Sequence, residues 1–186
     1  MTATNITLTP LTENDREQFI LDNQYAFKYG AVEEFGMRDD HLDGEGEIIS
    51  RGTIEHCIDH GVAYRIRENG KAVGGLILKI NEATHHNELE ILFVSPDVHS
   101  KGIGSAAWQQ VERLYPDTVV WETCTPYFEK RNIHFYVNKL GFHIVELFCE
   151  YHRDPLENER FGPRDDQYPK DDEGPDEMFR FLKYMK

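Results

Sequence analysis

The sequence predicts an α+β or mixed α/β fold, with strands dominating the first half and strand–helix–strand closing the second. Three observations carry this expectation. Asn69-Gly70 sits between two apolar, β-branched runs, the signature of a tight hairpin. Glu88 to Ser95 reads as a strand stopped by Pro96, and after Gly102-Ile103-Gly104 the apolar residues Ile103, Ala107, Val111 and Leu114 recur at helical spacing. Thr118–Thr123, Glu129–Leu140 and Phe142–Tyr151 then read as strand, helix closed by Gly141, and strand.

The other elements follow in order. Ile6 to Leu11 is a short strand. Thr12 with Asp15 three residues on has the form of a capping box, so a helix is expected up to Gly30. Ala31 to Glu47 carries seven acids, one arginine and three glycines and is expected to be a loop, with at most a helical turn. Thr53 to His60 is a short helix closed by Gly61. The hairpin strands are Val62–Arg67 and Ala72–Ile80, and Asn81–Asn87 is a polar connection. Arg153–Glu177, with ten acids, four bases and four prolines, reads as a loop before a last strand, Met178–Met185. There is no internal repeat, and 186 residues fit one domain spanning 1–186.

Bulk properties exclude several functions. A net charge of −14 opposes general binding to nucleic acid or to an anionic membrane. No apolar run reaches membrane-spanning length, and the first ten residues show no secretory signal. Cys57, Cys124 and Cys149 are odd in number and lack metal-type spacing, which points to a reducing, cytoplasmic setting.

The chemistry concentrates around Val94–Trp108. A strand, a glycine turn and a helix N-terminus make an anion site, because the first helical N–H groups lack intrahelical partners and the dipole favours negative charge. Two phosphate loops are rejected. Lys101 precedes the glycine instead of following it, unlike a P-loop, and Ala107 replaces the third glycine of a dinucleotide fingerprint. By itself Gly-x-Gly before a helix also fits a plain tight turn.

The flanking residues add more. His99-Ser100-Lys101-Gly102-Ile103-Gly104, after Leu92-Phe93-Val94-Ser95-Pro96, resembles the acetyl-CoA pyrophosphate loop of the GNAT acetyltransferase superfamily. That loop reads Gln/Arg-x-x-Gly-x-Gly/Ala after a strand ending Val-x-Pro. Asn132 through Tyr136 to Lys139-Leu140-Gly141-Phe142 resembles the family's second cofactor segment. The resemblance covers nearly the whole chain. It implies a mixed, mostly antiparallel sheet of about seven strands, flanked by helices and splayed at strands 4 and 5, where acetyl-CoA inserts as co-substrate. Two residues depart from the pattern. His99 stands where Gln or Arg is usual, and Tyr136 lies six residues before Phe142, where five is common.

The implied reaction is direct attack of a primary amine on the acetyl thioester in a ternary complex. A lysine-like amine with a pKa near ~10.4 is mostly protonated at neutral pH, so a base is needed. Glu88 and Glu90 are two apart on a strand and share a face, which Leu92 and Val94 continue toward the glycine loop. The resemblance places the family's proton-accepting glutamate at Glu88, with Glu90 second, and the acid for the leaving thiolate at Tyr136. It also implies that Asn132 bonds the pantetheine arm and that the backbone from Leu92 through Phe93 to Val94 holds the oxyanion. The phosphates would lie on His99 to Ser105, including Ile103 and Ser105, with Lys101 and Arg131 as screening charges. Solvated glutamates, a core tyrosine and a surface asparagine remain open alternatives.

Two other readings stay in view. One is a GNAT-fold acyl-CoA sensor or regulator without turnover. The other is a metal-dependent hydrolase built on His56, His60 and His85-His86; Cys57 occupies the place of the metalloprotease glutamate, and His56/His60 lie opposite Ile54 and Ile58, so a solvent-facing histidine pair is expected and no metal. By the resemblance, the acidic segments Ala31–Glu47 and Arg153–Glu177 border the acceptor cleft, which suits a cationic small molecule or peptide amine. Otherwise they serve solubility, or the second covers a partner subunit in a homodimer.

Overall fold

The architecture comes from a computed structural model that describes residues 5–35, 46–98, 102–162 and 177–186, with backbone only for 31–35. His99, Ser100 and Lys101, and most of both acidic segments, lie outside the described residues.

The chain forms β1 (Ile6–Pro10), α1 (Glu13–Phe35), α2 (Arg51–His60), β2 (Val62–Glu68), β3 (Lys71–Lys79), β4 (His86–Val94), α3 (Ile103–Leu114), β5 (Val120–Pro126), α4 (Lys130–His134), β6 (His143–Phe148), α5 (Glu157–Phe161) and β7 (Met178–Tyr184). One sheet has the order β1-β2-β3-β4-β5-β7-β6. All neighbours are antiparallel except β4 and β5. The hairpin forms at Asn69 and Gly70, both at positive φ (51° and 85°), the pair of left-handed residues that a tight hairpin turn needs.

The two sheet faces carry different cores. On one, α3 and the segment after it bury Ala107, Trp108, Val111, Trp121, Tyr136, Phe142 and Phe181. On the other, α1 and α2 bury Phe19, Ile20, Ile54, Cys57, Ile77, Ile91 and Phe93. Arg65 of β2 ties the sheet to α1: its guanidinium is buried and donates to Asp15 and Asp22 at 2.7–3.0 Å.

Several boundaries differ from expectation, each for a local reason. Helix α1 runs through Gly30 to Phe35, because one interior glycine costs only about 1 kcal/mol. Helix α2 begins two residues early, where the Ser50 hydroxyl accepts the Thr53 N–H at 3.0 Å. Thr118 is drawn out of β5 because its hydroxyl closes the end of α3 on the Tyr115 carbonyl (2.9 Å) and accepts from Asn87 (2.8 Å). Strand β6 stops at Phe148, where Cys149 and His152 exchange backbone bonds in a tight turn.

Two differences matter for the site. The helix expected over Glu129–Leu140 is α-helical only to His134, and Phe135–Leu140 is a π-turn. The wide turn absorbs one extra residue, and it accounts for the six-residue spacing from Tyr136 to Phe142. The segment expected to be a loop after Arg153 contains α5.

Candidate active site

Strands β4 and β5 pair over only three positions, His86/Val120, Asn87/Trp121 and Glu88/Glu122, and then diverge. At the start of the divergence the Leu89 carbonyl is taken by the Thr123 hydroxyl at 2.8 Å, so the opening begins without stranding a buried acceptor. The sheet is therefore splayed at strands 4 and 5, as the resemblance implies.

A bulge sits on β4 next to this opening. Ile77 pairs with Ile91 but Leu78 pairs with Leu89, which leaves Glu90 as the extra residue. The bulge corrects one sequence expectation. Leu92 and Val94 do not continue the face of Glu88 and Glu90, because the extra residue inverts the alternation. They pack on the α3 side, whereas the two glutamates line a cavity with Ile49, Thr53 and Cys57 on the α2 side.

That cavity holds about 30 Å³, space for about one water, and is closed by Cys124, Arg160 and Phe161. Its two acids differ. Glu88 is paired with the Arg160 guanidinium. Burial raises its pKa, opposed by Arg160 and reinforced by Glu122. Among the described residues Glu90 Oε2 is buried and has no hydrogen-bond partner. Burial, then the charge of Glu88, pushes this carboxyl up to about 7 against the opposing pull of Lys79 and Arg160. Gly61, at the C-terminal end of α2, makes room for it: a Cβ there would lie 3.0 Å from Glu90 Oε2 and 2.8 Å from the Cys57 carbonyl oxygen.

Arg160 of α5 was not singled out from the sequence. It is 4% exposed and pairs with Glu88, Glu122 and Asp154. Burial opposes the ionised form of Glu122, but hydrogen bonds from Arg180 and Arg160 outweigh it and hold this acid at about 2. Glu122 was legible in principle: a lone acid in the apolar run Val119-Val120-Trp121-Glu122 must be paired if buried. Nothing comparable marks Arg160 among ten acids. Cys57 and Cys124 are raised by burial, Cys124 to about 12, so neither is a thiolate at neutral pH.

On the opposite face, α3 opens at Gly102, in the left-handed conformation (φ 75°), and among the described residues no side chain caps it. The first intrahelical bond is donated by Ala106, so the N–H groups of Ile103, Gly104 and Ser105 have no intrahelical carbonyl to reach. Among the described residues nothing lies within 4 Å of a Cβ on Gly102, whereas a Cβ on Gly104 would meet the Phe135 ring at 3.1 Å. The side chains of Ile103 and Phe93 are core residues, which leaves only their backbone for a ligand.

Tyr136 is buried among Phe135, Phe142 and Phe181, with ring centroids 5.6–5.9 Å away. Burial pushes its phenol up to about 12, partly offset by a hydrogen bond with Thr123 of β5. It therefore stays protonated on the side of the opening that faces α3. Asn132 is half-buried on α4.

The histidine pair is arranged differently. His56 Nε2 meets the Glu159 carbonyl at 3.2 Å and His60 Nδ1 the His56 carbonyl at 2.9 Å, with the ring centroids 4.2 Å apart and the rings tilted by 32°. His60 faces solvent, but α5 half covers His56, which corrects the expectation of a fully wet face. Among the described residues no cluster of three or more His, Cys, Asp or Glu has a metal-holding arrangement, and no helix is long and apolar enough to cross a membrane.

Comparison with known proteins adds independent findings. Residues 23–142 match the family model described as acetyltransferase (GNAT) family. The Bacillus subtilis protein YrkN is 46% identical over 176 residues, covering 94% of this chain and 90% of YrkN. A GNAT family acetyltransferase from Elizabethkingia anophelis, solved with acetyl-CoA bound, superposes with a TM-score of 0.62 at 16% identity over 98% of this chain and all of the other. PaiA N-acetyltransferase from Thermoplasma acidophilum, solved with coenzyme A, gives a TM-score of 0.62 at 14% identity over 97% and 99% of the two chains.

Proposed function

The chain belongs to the GNAT acetyltransferase family, and from that premise we propose that it moves an acetyl group from acetyl-CoA to a primary amine, with Glu90 as proton acceptor. The observation that carries the assignment to Glu90 is the contrast across one cavity. Glu88 is neutralised by Arg160, whereas Glu90 keeps an unpartnered carboxylate oxygen poised near neutral pH.

The chain's own residues divide the work across the splayed sheet. The uncapped N-terminus of α3, from Gly102 to Ser105, offers backbone N–H groups and a positive dipole end to the cofactor's pyrophosphate. Strand β4 beyond its bulge turns one edge toward the opening, and a backbone N–H there, around Leu92 to Val94, meets the thioester oxygen as negative charge develops. A water in the α2-side cavity passes the amine's proton to Glu90. Tyr136, protonated and beside β5, supplies the proton that the departing thiolate needs. Asn132 faces the pantetheine arm.

The acceptor we infer is a cationic small molecule or peptide amine. Support comes from the acids of 31–47 and 153–177, which outnumber the bases seven to one and ten to four. The three free cysteines suit a reducing cytoplasmic setting.

An acceptor screen that detects released CoA thiol tests this reading. Polyamines, amino-sugars and basic peptides should be acetylated. Acetyl-CoA binding without turnover on any amine would instead assign an acyl-CoA sensor.

A further inference from the structure

Glu88 and Glu122 face each other as register partners at the last pair of β4 and β5. Two carboxylates placed opposite one another repel, and burial strengthens the repulsion. The Arg160 guanidinium lies over this pair, Nη1 donating to Glu88 and Nη2 to Glu122. Its Nε lies 2.9 Å from Asp154. Glu122 also accepts from Arg180 Nε and Nη2 at 2.8 and 3.0 Å, and Arg180 Nη1 donates to Glu146 at 2.9 Å. Acid and base thus alternate in a row: Glu146 on β6, Arg180 on β7, Glu122 on β5, Arg160 on α5 and Glu88 on β4. Arg160 is the one member that the sheet does not carry. The row ends one side chain short of Glu90.

We propose that Arg160 is a positioning residue for the acetyl transfer: by holding Glu88 and Glu122 together it clasps β4 to β5 where the sheet begins to open, and it leaves Glu90 as the carboxylate presented to the acceptor. The inference rests on the reading of Glu90 as proton acceptor. Arg160 makes and breaks no bond; it acts through the placement and proton affinity of Glu90. Among the described residues, the groups that face Glu90 are Lys79 from β3, Cys57 from α2, Glu88 from β4 and Arg160 from α5, with Glu122 and Cys124 behind them on β5. Lys79 and Arg160 are the cations of this set. Without Arg160, two neighbouring carboxylates compete for protons with one ammonium to restrain them.

The test uses the full chain and the variants Arg160→Met and Arg160→Lys. Carbon-13 carboxyl titration reads Glu88 and Glu90 directly, with assignments from Glu88→Gln and Glu90→Gln. The pH dependence of kcat/KM with spermidine reads the reaction. In Arg160→Met both carboxyl midpoints should rise by about one pH unit, and the acid limb of the rate profile should follow, a loss of roughly tenfold at pH 6. Acetyl-CoA affinity should stay within about twofold, because the α3 N-terminus lies on the other face. Arg160→Lys should restore part of the shift. Unchanged carboxyl midpoints in Arg160→Met overturn the proposal. If that variant does not fold, Asp154→Asn decides: freeing the guanidinium from a competing anion should lower the Glu88 midpoint, and an unmoved midpoint overturns the clasp. Full turnover by Glu90→Gln would refute Glu90 as the base whatever the titrations show, so the two readings fail separately.

Discussion

Replacing Glu90 by glutamine should make the protein more stable and less active, with both effects depending on pH in a defined direction. The carboxyl's midpoint moves from 4.5 to about 7 on folding, chiefly by burial. The folded state therefore binds this proton more tightly than the unfolded chain. Between pH 4.5 and 7 it holds more protons, so stability falls as pH rises through that window and levels off above it. At 1.36 kcal/mol per tenfold change in proton affinity, the cost of ionising Glu90 at pH 8 is at most about 3.4 kcal/mol. An amide at the same place does not ionise, and its NH2 can reach toward the Cys57 or Leu78 carbonyls that surround Gly61.

Thermal unfolding of wild type and Glu90→Gln at pH 4.5 and pH 8 reads this directly. The variant should gain about 2–3 kcal/mol at pH 8, a rise in Tm of roughly 5–10 °C for a chain of this size, and little or nothing at pH 4.5. Turnover, followed by thiol release, should fall by about 10²–10⁴ at pH 7. The deficit should shrink as pH rises toward the amine's own pKa, where the acceptor arrives deprotonated. A variant that is no more stable at pH 8 than at pH 4.5 relative to wild type would show that Glu90 is not a strained buried carboxylate. Full activity in that variant would move deprotonation elsewhere, to Glu88 or to bulk solvent.

Gly104→Glu should weaken acetyl-CoA binding by at least about thirtyfold in calorimetry. It sets a carboxylate at the α3 N-terminus and presses a Cβ onto Phe135, while Gly104→Ala separates the second effect from the first. Tyr136→Phe should lower kcat by roughly ten- to a hundredfold with acetyl-CoA affinity unchanged, and unchanged kcat would leave Tyr136 as a core residue. With a polyamine acceptor, kcat/KM should fall steeply between about 0.01 and 0.3 M salt as exposed charges are screened. Salt-independent rates, with glutamate outperforming polyamines, would reduce the acidic segments to a solubility role.

The sequence was most informative where one local rule decided the structure. Asn69-Gly70 specified its hairpin, the spacing of Ile103, Ala107 and Val111 specified the buried stripe of α3, and the Gly-x-Gly pattern located an uncapped helix N-terminus. It was less informative where two residues distant in sequence had to meet. Period-two reasoning placed Leu92 and Val94 with the glutamates, but a bulge depends on how β3 and β4 pair, and neither strand alone records it. The unusual spacing before Phe142 was visible, yet its resolution as a π-turn depends on burying Tyr136 against Phe142 and Phe181. Arg160 was the least visible, because its meaning lies in Glu88 and Glu122, 72 and 38 residues away.

That distance bears on why the two glutamates of β4 differ. Along one strand they look equivalent: same residue type, two apart, nominally on one face. The difference arises across the sheet. Glu88 is opposite Glu122 at the last β4–β5 pair, so it needs a cation and has one; Glu90 is past the last pair and has no carboxylate opposite it. Its burial is then offset only in part, by Lys79 and Arg160, and its proton affinity rises into the range useful to a base at neutral pH. The splay thus leaves Glu90 beyond the strand pair whose two carboxylates gather the Arg160 guanidinium. Extending the strand pairing by two residues brings Glu90 no cation, since β5 continues with Thr123 and Cys124. An acid at Thr123 or Cys124 would not be equivalent, because the Thr123 hydroxyl already satisfies the Leu89 carbonyl and the Cys124 side chain closes the cavity.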